Sequence, residues 1–109
     1  MPHGPRLDAP GVLHQVKARG SARQRIFQDD ADREDVVQRL ARLAETGALT
    51  VYAWALLPNH FHLLVRTGRQ PLARSMRSLL TGYAGAVNRR YRRSGHLLQN
   101  RYKSVVWRV

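Results

Sequence analysis

The chain has 109 residues, no cysteine, and 19 Lys/Arg against seven Asp/Glu, a formal net charge of +12 at neutral pH. That length makes one small domain over residues 1–109, with the Pro- and Gly-containing start, residues 1–10, flexible. The lack of cysteine excludes disulfides, thiolate zinc sites and a cysteine nucleophile, and no signal-type segment or apolar run of about 18 residues is present, so a soluble, cytoplasmic protein with no membrane partner is expected.

In chain order, residues 11–18 (GVLHQVKA) read as a first strand, followed by a loop rich in Arg and Gln. Asp29 and Asp30 are suited to cap a helix over residues 30–46, in which Val36, Val37, Leu40, Leu43 and Ala44 recur at helical spacing and Gly47 ends the segment. Leu49 to Leu57 is a second strand, with Val51, Tyr52 and Trp54 favouring extended backbone. Leu57-Pro58-Asn59 turns the chain into a third strand, His60 to Arg66. Pro71 opens a longer helix to about Tyr91, with Leu72, Met76, Leu79, Leu80, Tyr83 and Val87 on one stripe and Arg74, Arg77, Arg89 and Arg90 mostly off it. The order β-α-β-β-α predicts an α+β, ferredoxin-like split β-α-β sandwich with an antiparallel sheet and two main helices.

Charge is distributed unevenly along this layout. Residues 1–46 hold all seven carboxylates and eight Lys/Arg, whereas residues 47–109 hold eleven Lys/Arg and no acid. A one-sided basic half points to a polyanion, in the first place nucleic acid. Arg89, Arg90, Arg92 and Arg93, continued by Arg101 and Lys103, are the densest basic run and the candidate DNA contacts. The acids cluster from Asp29 to Asp35, where a helix start employs them structurally. A metal bound in the second half must therefore rely on His, Asn or Gln.

His60-Phe61-His62 supplies such ligands. Alternation along a strand puts His60 and His62 on one face with Cβ atoms roughly 6–7 Å apart, and sends Phe61, Leu63 and Val65 the other way. Taken alone, such a pair is a half-exposed polar pair as readily as a ligand pair. His14, on the first strand, reads as a buried hydrogen-bonded histidine, and His96, in Ser94-Gly95-His96, as a turn or phosphate contact.

PGVLHQVKARG, IFQDDADRE, YAWALLPNHFHLLV and GYAGAVNRRYRRSGHLLQNRYKS together cover nearly the whole chain. In these segments it resembles the REP-associated tyrosine transposases, relatives of the single-tyrosine insertion-sequence transposases among the HUH endonucleases. The resemblance implies a divalent metal ion, Mg²⁺ or Mn²⁺, on His60 and His62. It also implies metal-dependent cleavage and rejoining of single-stranded or hairpin DNA through a 5′-phosphotyrosine, hence DNA transposition in a bacterial mobile element, with a homodimer possible. In relatives the nucleophile lies on a further helix in a Tyr-x-x-x-Asn-Pro type of motif that no position here matches. A truncated copy lacking its nucleophile is therefore expected, with Tyr102 as a weak substitute, Tyr83 in the core, and Tyr91 stacking on a base or packing. The alternatives are a non-catalytic DNA-hairpin-binding remnant and a general basic RNA-binding protein.

Overall fold

A computed structural model describes residues 9–99 and 101–107. Its elements are β1 (Leu13–Arg19), α1 (Asp30–Glu45), β2 (Leu49–Leu57), β3 (His60–Thr67), α2 (Leu72–Arg90) and β4 (Lys103–Val106), with a short 3-10 turn at Ser21–Arg23. The four strands form one sheet in the order β2-β3-β1-β4, every neighbouring pair antiparallel. This is the expected α+β sandwich. The expected flexible start lies mostly outside the described residues.

Apart from one-residue shifts at element ends, two features differ from the sequence reading. The first strand begins at Leu13 rather than residue 11, because Gly11 sits at φ +77°, a left-handed conformation that interrupts extended backbone. A fourth strand, Lys103–Val106, was not expected; its four residues pair with His14–Lys17 of β1. So short a segment has no period to read, and its pairing with β1 is what makes it a strand.

One face of the sheet is buried under both helices. Val16 and Ala18 of β1 and Phe61, Leu63 and Val65 of β3 meet Val36, Leu40 and Leu43 of α1 and Leu72, Met76, Leu79, Tyr83 and Val87 of α2. Phe27 fills the centre, its ring 6.5 Å from Phe61 and 5.5 Å from Tyr83. Truncating such an aromatic costs about 3–5 kcal/mol. Among the described residues no helix covers the opposite sheet face, so alternate residues of every strand are left open along it, those of β1 and β3 in the middle of the sheet.

The acids at the start of α1 have the structural use predicted for them. Asp29 caps the helix by accepting from the Asp32 N–H at 3.2 Å, and Asp32 reciprocates by accepting from the Gln28 N–H at 2.8 Å. Asp32 is fully buried. It also accepts from the Tyr91 hydroxyl at 2.9 Å and from Arg90, which reaches Asp35 at 3.1 Å. The first turn of α1 is thereby latched to the last turn of α2, with each charge at the helix end whose dipole favours it.

Candidate functional site

Pro58 and Asn59 alone join β2 to β3, since Leu57 pairs directly with His60. Their carbonyls are held from outside the hairpin: Pro58 O accepts from Ile26 N–H at 2.8 Å and Asn59 O from Gly20 N–H at 2.9 Å. This fixes the start of β3, and with it the histidines. His60 and His62 lie side by side on the open face, ring centroids 4.9 Å apart and nearly perpendicular. Asn59 Oδ1 accepts from His60 Nδ1 at 2.8 Å, which orients the ring and leaves the Nε2 of the neutral ring with the lone pair that can ligate a metal.

The pair has cationic neighbours, two of which, Lys17 and Arg19, the sequence reading missed. In the sheet register Lys17 lies opposite His62 and Arg19 opposite His60, while Lys103 on β4 lies opposite Lys17. The signal was present, since Lys17 and Arg19 are two apart on a strand, but it acquires meaning only once β1 is known to lie beside β3. Partial burial first, then the charges of His62, Lys17 and Arg19, push the His60 pKa below its usual 6.5. The neutral form that results is the one that ligates metal.

The basic loop after α2 comes to the same end of the sheet. Ser21 N–H donates to Leu97 O and Gln99 N–H to Arg19 O, each at 2.9 Å, and Gly20 bridges to Leu98. Gln24 braces the loop, donating to His96 O at 2.8 Å and Leu97 O at 3.2 Å while accepting from Arg93. Arg89, Arg92 and Arg101 are exposed, as is Lys103 on the open face. Arg90 is the exception among the candidate DNA contacts: its guanidinium turns back to Asp32 and Asp35. His14 is buried on the helix-covered face, opposite the pair, and His96 is exposed in the loop.

A family model for IS200-like transposases matches residues 13–108. The chain belongs to the IS200-like transposase family. Comparison with curated proteins finds no match. Among solved structures the chain is similar to a REP-associated tyrosine transposase bound to a REP hairpin, with a TM-score of 0.74 at 14% identity over 100% of this chain and 64% of that one. It is also similar to a candidate transposase from Deinococcus radiodurans R1, with a TM-score of 0.68 at 17% identity over 96% of this chain and 85% of that one. The chain thus spans under two thirds of the length of the first of these structures.

The four tyrosines of the chain have different surroundings. Tyr83 is buried and donates to Ile26 O at 2.5 Å; burial first, then Asp32 and Asp35, push its pKa far up. Tyr91 is bound to Asp32, so packing rather than an exposed ring describes it. Tyr52 takes a hydrogen bond from Arg66 at 3.1 Å, towards the far end of the sheet from His60. Tyr102, the weak substitute, is placed by strand alternation. Lys103 faces the histidines, so Tyr102 faces the other way, packing against the core and lining a cleft with Arg77, Leu80 and Thr81 of α2. The fold brings none of the four to His60 and His62.

The histidines fit a divalent ion as a two-nitrogen half-site. Among the described residues no group of three or more His, Cys, Asp or Glu forms, so further ligands would be water and substrate oxygen. None of the described helices is long and apolar enough to cross a membrane.

Proposed function

We propose that this chain is the DNA-holding core of a transposase acting on single-stranded or hairpin DNA, in the cytoplasm, with His60 and His62 as its metal ligands. The observation that carries the reading is the cross-strand grouping of the two histidines with Lys17, Arg19 and Lys103, in a chain of this family. The REP hairpin held by the similar solved transposase supports the choice of DNA over RNA.

The residues divide the work as follows. Lys17, Arg19 and Lys103 bind the phosphates next to the scissile one, and Arg89, Arg92, Arg93 and Arg101 bind the backbone of the flanking duplex. His60, its ring set by Asn59, and His62 would hold Mg²⁺ or Mn²⁺; imidazole donors suit Mn²⁺ better, because Mg²⁺ prefers oxygen. When bound, the ion supplies Lewis-acid polarisation of the scissile phosphate. A tyrosine hydroxyl attacking there would retain the 5′ phosphate and release a 3′ hydroxyl, the exchange expected of the family. Since no tyrosine of the chain stands at the histidines, we assign the nucleophile to none of the four; by itself the chain binds and positions DNA without forming the adduct.

The test is incubation with an end-labelled DNA hairpin carrying a single-stranded tail, with Mn²⁺ or Mg²⁺, resolved on native and denaturing gels. The expected result is a salt-sensitive native complex and no covalent adduct. An adduct lost in His60→Ala would overturn the non-covalent part and identify an attacking tyrosine by mapping. Failure to bind the hairpin at low salt, or tighter binding to structured RNA, would overturn the DNA reading.

A further inference from the structure

We propose that the open face of the sheet beside the histidines is a stacking groove for unpaired bases of single-stranded DNA, with Trp107 as its platform. The inference rests on the DNA reading above and assigns a base-binding residue that reading does not require.

A groove of about 630 Å³ runs over the open face, within the size range of small-ligand sites. At one end a single cross-strand row sets Ala55, His62, Lys17 and Lys103 side by side. At the other end stands Trp107, whose N–H donates to Leu13 O at 2.8 Å and so extends the β1–β4 ladder past Val106. Lys103 and Trp107 are four residue steps apart, about 13 Å of extended chain.

The surface between these ends is apolar and flat. Ala53 and Ala55 present only methyl groups, and Val105 and Trp107 stand 62% and 45% exposed to water. Exposed apolar surface beside a functional centre marks a binding site. The charge of its rim selects the occupant. Both charged residues lining the groove, Lys17 and Lys103, are cations, and none is a carboxylate. Flat apolar surface for the rings with cations for the phosphates is the combination that holds single strands. Trp54, the other tryptophan, also borders the groove, as do Val16 and Leu63, whose side chains are buried under the helices; it pairs with Leu63 and borders a cleft with Asp30 and Arg33 of α1 as well. Trp107, paired beyond Val106 with Leu13, is the tryptophan that the strand register sets on the open face.

The experiment uses the Trp54→Phe chain, which leaves Trp107 as the sole tryptophan, and three DNAs: a blunt hairpin, the hairpin with a thymidine tail, and the hairpin with an abasic tail of equal phosphate count. The thymidine tail is expected to quench Trp107 fluorescence and the abasic tail is not. Trp107→Ala should weaken binding of the thymidine-tailed DNA between about 5- and 150-fold per stacked base and leave the blunt hairpin unaffected. Trp107→Phe should retain most of the affinity, so the result stands even if the alanine variant folds poorly. Equal affinity for thymidine and abasic tails, with hairpin binding intact, would overturn the groove assignment and leave the DNA reading standing. No binding of any hairpin would overturn both. A concentration-dependent dimer of the DNA-free chain that Trp107→Ala abolishes would also overturn it, giving the groove to a second copy.

Discussion

Asp32 is a carboxylate buried completely in a strongly basic protein, and three partners compensate that burial. The Gln28 N–H, the Tyr91 hydroxyl and the Arg90 guanidinium together replace its hydration. Asp32→Asn removes the charge that all three address, so a loss of about 3 kcal/mol is expected in urea unfolding. That is the low end for breaking a buried pair, because the Arg90 side chain remains 37% exposed. A loss below about 1 kcal/mol would show that the latch contributes no more than a surface ion pair. His60 provides a second residue-level prediction. Cationic neighbours disfavour its protonated form, so its titration in nuclear magnetic resonance should lie below 6.5, and Lys17→Ala or Arg19→Ala should move it upwards. Burial is the larger cause, so neither variant should restore the ordinary value in full. The neutral ring persists at pH 7, and metal binding should weaken only as the pH falls through the lowered value. An unchanged titration in both variants would remove Lys17 and Arg19 from the site.

Among the connecting elements, two loops hold conformations that their residues do not favour. Ala22 and Arg23 in the loop after β1, and Arg92 in the loop after α2, all have positive φ without being glycine, and both loops adjoin the histidine end of the sheet. Arg92 ends α2 in the position usually given to glycine, with the Arg93 N–H donating to Asn88 O at 2.8 Å across it. A left-handed non-glycine residue costs about 1–2 kcal/mol. Arg92→Gly is therefore expected to stabilise the fold by up to about 1 kcal/mol, after the added freedom of the unfolded chain is subtracted, while weakening hairpin binding. Stability and affinity moving in opposite directions would mark the arginine as held there for its charge. If both fall, Arg92 is structural. The other elements differ in how far the sequence reveals them. Both helices and β3 carry long apolar periods and were legible within a residue or two. β4 has only Lys103 to Val106 and exists because β1 offers it an edge.

For the molecule as a whole, charge should govern binding. Each phosphate contact on a single strand contributes about 0.7 to the slope of log affinity against log salt. Lys17→Ala and Lys103→Ala should each lower that slope by about this amount, whereas Arg90→Ala should lower stability and leave the slope unchanged, its guanidinium being engaged by Asp32 and Asp35. Equal slope changes for all three would refute the distinction between substrate-facing and latch cations. The asymmetry that makes this prediction possible was visible in the chain, since residues 47–109 contain no acid. Its division into roles was not, because Arg89, Arg90, Arg92 and Arg93 are adjacent in sequence and differ only in what the fold places beside them.

The sequence by itself determined the period of each long element, the shared face of His60 and His62, and the helix-capping use of the acids. These follow from geometry within one strand or one helix, where neighbours are a fixed few residues apart. Tertiary structure alone decided that Lys17 and Arg19 stand beside the histidines, that Arg90 is taken by Asp32, that Tyr102 faces away, and that Trp107 ends an open groove. Each of these depends on which strand pairs with which and in what register, and a register change of one residue would reverse every face.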